Sequence, residues 1–114
     1  MDYYQGWFDL KPGIKDTDFA RDLTRYMTYL RDQGLIEDWK LSRRKLGLSP
    51  LPEFHLVIET KNLAQLDEAF NHVATRSEPV ESTHFNVNSK VENLRFGLYR
   101  DFPDAARREG EEKF

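Results

Sequence analysis

Two rhythms of apolar residues alternate along this chain. Phe54-His55-Leu56-Val57-Ile58-Glu59-Thr60 runs at the two-residue period of a strand, then passes through Asn62 into Leu63 to Ala74, where Leu66, Ala69, Phe70 and Val73 fall at helical spacing. Asn62 followed three residues later by Gln65 predicts a capping box at that helix start. An earlier stretch shows the same succession. Tyr3 to Leu10 is strand-like, with Tyr4, Gly6, Phe8 and Leu10 on one face and Tyr3, Gln5, Trp7 and Asp9 on the other, and Lys11-Pro12-Gly13 turns the chain. A helix is expected from Asp16 or Thr17, either of which can cap it, with Asp18 at the positive end of its dipole. It carries Phe19, Leu23, Tyr26, Met27 and Leu30 on one side and stops at Gly34.

The remaining stretches are shorter. Ile36 to Leu46 reads as a strand with Trp39 and Leu41 on one face and Lys40, Ser42 and Arg44 on the other, followed by a turn through Gly47-Leu48-Ser49-Pro50-Leu51-Pro52. Glu81 to Val91 leaves two readings open, a short extra helix with Phe85 inward or a long loop. Val91 or Leu94 to Phe102 returns to alternation, Leu94, Phe96 and Leu98 against Arg95, Gly97 and Tyr99, and Pro103 ends it. Strand, helix, strand, repeated once, is the order of the ferredoxin-like βαββαβ arrangement, an α+β fold with a four-stranded antiparallel sheet and both helices on one face. We expect a single domain over residues 1–103 and a charged, poorly ordered tail over 104–114.

The two faces of that sheet differ in composition. Tyr4, Phe8, Leu10, Phe54, Leu56, Ile58, Leu94, Phe96 and Leu98 form apolar rows that two amphipathic helices would cover, and these predict the core. Tyr3, Gln5, Trp7, His55, Val57, Glu59, Arg95 and Tyr99 lie opposite. That set is too aromatic for a solvated face and too polar for a dry interior, so a second copy of the chain is expected to cover it.

Bulk composition narrows the chemistry. With 114 residues the chain suits one core, and a net charge of -3 with mixed signs lacks the basic excess of a nucleic-acid binder. Arg43-Arg44-Lys45 does not alter this, because neighbouring strand residues point to opposite faces, and charges there serve to protect a sheet edge. There is no cysteine, hence no disulfide, thiolate nucleophile or Cys-ligated zinc. No apolar run approaches the ~20 residues of a membrane span and no signal-peptide pattern opens the chain, so a soluble, cytoplasmic protein without membrane association is expected. Gly-rich phosphate loops, Gly-x-Ser-x-Gly and His-Glu-x-x-His are absent, and His55, His72 and His84 form no local metal-binding pattern. Neither a metal nor another cofactor is expected.

At this level the chain resembles the dimeric α/β-barrel superfamily, small ferredoxin-like proteins whose paired sheets enclose a pocket. Tyr99-Arg100-Asp101-Phe102-Pro103 is similar to the closing segment of bacterial stress-responsive α/β-barrel members. The resemblance implies a homodimer with a small, partly aromatic molecule between the sheets. It also implies an enzymatic alternative, a cofactor-independent monooxygenase or isomerase, and a third reading is an oligomerisation module without ligand. In the enzyme, His55 would be the acid or base, Trp7 and Tyr99 aromatic walls, and Gln5 and Glu59 polar partners, with Tyr3 and Arg95 completing the lining. His55 and Glu59 lie about 13 Å apart along the strand, so they cannot bond each other directly. Haem-degrading relatives place an iron ligand where His72 falls, but their first-strand asparagine is Gln5 here and no tryptophan follows Trp39. Glu81-Ser82-Thr83-His84 has the Glu-x-x-His spacing of di-iron bundles, in a single copy; a cap or surface position suits His84 better.

Overall fold

The computed structural model describes residues 1–47 and 50–103. Along them run β1 (Asp2–Leu10), α1 (Asp16–Asp32), β2 (Asp38–Arg43), β3 (Phe54–Thr60), α2 (Leu63–Ala74), α3 (Val80–Asn88) and β4 (Val91–Arg100). The strands form one antiparallel sheet in the order β2-β3-β1-β4. This is the ferredoxin-like arrangement, with a third helix in the second half. The expected charged tail and part of the Gly47–Pro52 turn lie outside the described residues.

Local signals act where the sequence puts them. Gly34, at φ +73°, ends α1 in a Schellman motif: its N–H donates to Arg31 O and that of Leu35 to Leu30 O, each at 2.9 Å. The start of α1 differs from expectation, since Lys15 occupies the flanking position without a side-chain cap and, of the helix N–H groups, the Asp16 carboxylate accepts that of Thr17. At α2, Asn62 Oδ1 accepts the Gln65 N–H at 2.9 Å, while Gln65 Oε1 accepts the Lys61 N–H, one residue ahead of the cap. Gln65 Nε2 also donates to Gly34 O and to Glu37, tying the start of α2 to the end of α1.

Register confirms the face assignments. Tyr4, Gly6 and Phe8 pair with Ile58, Leu56 and Phe54, and Trp39 and Leu41 pair with Ile58 and Leu56 on the same, helix-covered side. Phe8, Phe54 and Phe19 interlock edge and face beneath α1, surrounded by Leu23, Met27 and Leu30. The edge strand β2 is short, and its basic run is tied down: Arg43 bonds Glu53 and Asp16 and lies over the Phe54 ring, while Arg44 donates to Leu51 O. Opposite, β4 carries one extra residue against β1 between Trp7 and Asp9. Asn93 takes up the bulge at φ +56° and donates to Asp9 Oδ2, a left-handed conformation that asparagine tolerates well.

Two expectations are corrected. Residues 80–88 are helical, but the residue α3 buries is Val80, whereas Phe85 is 64 % exposed. The apolar row of β4 lies on the helix side as predicted without being buried, with Phe96 57 % and Leu98 52 % exposed. Both have one cause. The helix α3 packs against α1, where Val80 joins the cluster and Lys90 pairs with Asp22, so among the described residues no helix extends the layer over the edge strand β4.

Candidate functional site

The outer face of the sheet is laid out in three cross-strand rows. Asp38, Glu59, Tyr3 and Tyr99 form the first, Lys40, Val57, Gln5 and Gly97 the second, and Ser42, His55, Trp7 and Arg95 the third. Neighbouring rows are knitted together at the centre. His55 stacks on Trp7 with ring centroids 4.7 Å apart and planes within 5°, and its Nε2–H donates to Gln5 Oε1 at 2.7 Å. Burial holds the His55 imidazole below its usual pKa and so favours the neutral ring. The Tyr99 ring leans over Gly97, where an added Cβ would meet it at 3.0 Å and the Trp7 ring at 3.6 Å. Tyr3 donates its hydroxyl to Asp101, which also pairs with the terminal amine of Met1. The hydrogen bond to Asp101 and that carboxylate's charge push the Tyr3 phenol up. No helix of the described residues crosses this side, and Tyr99 stands largely in the open.

The opposite side holds a partly open space. Between sheet and helices lies a cavity of about 500 Å³, walled by Tyr4, Gly6 and Phe8 of β1, Leu56 and Ile58 of β3, and the stripes of α1 and α2. Small residues shape it: Gly6, where an added Cβ would meet the Phe96 ring at 3.3 Å, and Ala69, where the stripe of α2 has no bulk. Tyr4 stacks parallel to Phe96 and meets Phe70 edge-on, so three rings frame the side toward β4. Polar groups are few. Tyr4 and Tyr26 contribute phenols, both pushed up by burial, Tyr26 to about 12. Arg76, Glu81 and His84 bring polar and charged side chains from α3 and the turn before it.

None of Tyr3, Gln5, Trp7, His55, Glu59, Arg95 and Tyr99 lines this cavity. They share the outer face, where the structure brings Gln5, Trp7 and His55 into contact and sets Tyr3 beside Tyr99 and Glu59. Arg95 alone of the seven lines a second, open groove at the β4 bulge, with Asp9, Arg44 and Asn93. His72 shares a 2.8 Å hydrogen bond with Tyr29 and faces no site. Instead of capping or lying on the surface, His84 is half-buried with its ring centroid 5.7 Å from that of Tyr26. The sequence carried one signal for the cavity: a tyrosine in an otherwise apolar helix stripe. Among the described residues no three His, Asp or Glu side chains converge on a point, and no helix is long and apolar enough to cross a membrane.

Comparison with known proteins places these features. No curated protein matches the sequence. Solved structures match the fold at low identity. SnoaB, a cofactor-independent oxygenase from Streptomyces nogalater, superposes with a TM-score of 0.70 at 8 % identity over 93 % of this chain and 97 % of its own. A dabb-family protein with a ferredoxin-like fold from Mesorhizobium loti gives 0.61 at 14 % over 88 % and 95 %. A dimeric ferredoxin-like protein of unknown function from Bacteroides fragilis gives 0.59 at 10 % over 88 % and 95 %. These likenesses establish the ferredoxin-like fold shared with dimeric α/β-barrel proteins. The model of DUF6614, a family of unknown function, matches residues 1–114, and the chain belongs to that family.

Proposed function

We propose that this DUF6614 member works as a homodimer joined through the outer face of its sheet, each subunit holding a small, neutral, partly aromatic molecule between its own sheet and helices. The observation that carries the ligand is the cavity. Its volume of about 500 Å³ falls within the ~300–1,000 Å³ of small-molecule sites, and its walls are apolar with a few convergent polar groups, the usual constitution of such sites. No charged side chain comes from β1, β3 or the stripe of α1, and the charged residues that do line the cavity, Arg76 and Glu81, are of opposite sign, so a neutral ligand is favoured. The dimer rests on the uncovered outer face, where Trp7, Tyr99 and the stacked His55 form contiguous aromatic surface. The description of the Bacteroides neighbour as dimeric supports this. Tyr3, Gln5, Glu59 and Arg95 are then contact residues around that aromatic centre.

Titration calorimetry with 1-naphthol tests the ligand. Wild-type protein is expected to bind it saturably, and Ala69→Phe, which fills the void from α2, to weaken binding more than tenfold while unfolding at the same temperature. Equal affinity in both proteins would overturn the assignment. Equilibrium sedimentation tests the dimer: a wild-type monomer at micromolar concentration removes it, whereas Tyr99→Asp is expected to dissociate it.

A second reading is favoured by the Gln5–His55–Trp7 cluster, in which a neutral imidazole is held by its Nε2 and leaves Nδ1 available as a base. It places the ligand between the paired sheets and catalysis, as a cofactor-independent monooxygenase or isomerase, on His55. Under it His55→Ala abolishes turnover while the dimer persists; unchanged turnover removes it.

A further inference from the structure

The cavity holds polar groups that packing does not use. Of the three histidines, His55 is bonded to Gln5 and His72 to Tyr29, whereas His84 has no hydrogen-bond partner among the described residues and turns its ring toward Tyr26. The tyrosines divide in the same way. Tyr3 bonds Asp101 and Tyr29 bonds His72, but Tyr26, only 9 % exposed, has no described hydrogen-bond partner. No fully buried side-chain oxygen or nitrogen among the described residues lacks a partner, so the Tyr26 hydroxyl must be accessible, and the space Tyr26 lines is the cavity. An unpaired phenol and an unpaired imidazole from two different helices therefore meet at one wall of an apolar chamber. Neither contributes a hydrogen bond to the fold.

Accepting the cavity as the ligand site, we infer that Tyr26 and His84 are its proton-handling pair and that the ligand class is a neutral cyclic or aromatic ketone with an acidic hydrogen beside the carbonyl. A carbonyl oxygen and the hydrogen on its α-carbon are close neighbours, so the groups that act on them must come from adjacent side chains, as these two rings do with centroids 5.7 Å apart. The Tyr26 O–H donates to the carbonyl oxygen. An imidazole nitrogen of His84 takes the proton from the α-carbon; the C–H electron pair becomes the C=C bond of the enolate, and the carbonyl π pair moves to the oxygen that Tyr26 holds. Return of a proton from His84 to the same carbon regenerates the ketone, and return to a conjugated carbon isomerises it. No oxidant or reductant enters. Burial keeps the Tyr26 phenol protonated up to about pH 12, so it remains a donor throughout the neutral range.

The test is deuterium exchange at C1 of 2-tetralone in D2O, followed by NMR, with binding read in the same samples by saturation transfer. Wild-type protein is expected to speed exchange over free imidazole at equal concentration. Tyr26→Phe, which keeps the ring, and His84→Gln should each lose about a hundredfold while still binding. Bound 2-tetralone that exchanges equally fast in wild type and both variants overturns the pair and leaves the cavity standing. Absence of saturation transfer to both 2-tetralone and 1-naphthol removes the cavity reading, and the pair falls with it.

Discussion

The two βαβ halves of this chain are written in nearly the same pattern and end in different states. In the first, the whole apolar stripe of α1 is buried, and Phe19 interlocks with Phe8 and Phe54. In the second, α2 buries Leu66 and Ala69, while Phe70 stays 48 % exposed and the β4 row lies open beyond it. The stripes of both helices wall the cavity, but that of α1 is buried whereas that of α2 leaves Phe70 part-exposed. What separates them is α3, which an identical repeat would lack: it docks chiefly on α1 and completes that side, leaving the edge strand β4 without a helix packed on it. Where each side chain has a neighbour to fill its space the pattern is explained by stability. Where the same pattern leaves a void with unpaired polar groups around it, packing alone does not explain it, and the proposed ligand would.

That contrast predicts unequal costs for equal truncations. Phe19→Ala, in the packed half, is expected to lose about 3–5 kcal/mol in urea unfolding, against less than about 1 kcal/mol for Phe96→Ala, whose ring is already half in solvent. Similar losses at the two sites would mean that the second half is as tightly filled as the first.

Alkaline titration sharpens the same point at Tyr26. Its phenol ionises at about 12 in the folded chain against 10.0 without the fold, so the folded state holds this proton more tightly. The stabilisation is complete below pH 10 and is lost as pH rises from there through about 12, amounting to about 2–3 kcal/mol. Urea stability of Tyr26→Phe should therefore fall less than that of wild type across this window. Parallel curves would show that burial does not hold this proton.

The smallest effects are expected at the helix ends. Gly34→Ala forces a side chain into φ +73° and Asn62→Ala removes the Gln65 N–H bond, each costing about 1 kcal/mol. Because α2 is the less supported helix, amide exchange in its first turn should accelerate in Asn62→Ala, while α1 stays protected. Equal acceleration in both helices would contradict the difference between the halves.

Much of this architecture was legible in the residues. Period-2 alternation in Tyr3–Leu10 and Phe54–Thr60 gave the faces correctly, and Gly34 and Asn62 marked helix boundaries. The parity of Trp39 and Leu41 was not legible, since one bulge would have reversed it, and their pairing with Ile58 and Leu56 decided it. Phe85 was misjudged because three residues of similar hydrophobicity, Val80, Phe85 and Val87, compete for one small contact, and only the docking direction of α3 selects Val80. The candidate site was less accessible for a related reason. Alternation tells which face a residue joins, and the outer-face set was found that way, but a cavity is a deficit of volume between elements and leaves no periodic trace.

The sequence by itself determined the order of elements, the two faces of the sheet and the residues available to each, because these depend on local backbone geometry and on the periodicity of transfer free energy. Only the tertiary structure decided that α3 closes on α1, that β4 keeps its apolar row uncovered, and that Tyr26 and His84, 58 positions apart, share a wall. Those outcomes depend on how rigid elements of unequal bulk fill space together, and that sum is taken over the whole molecule rather than along the chain.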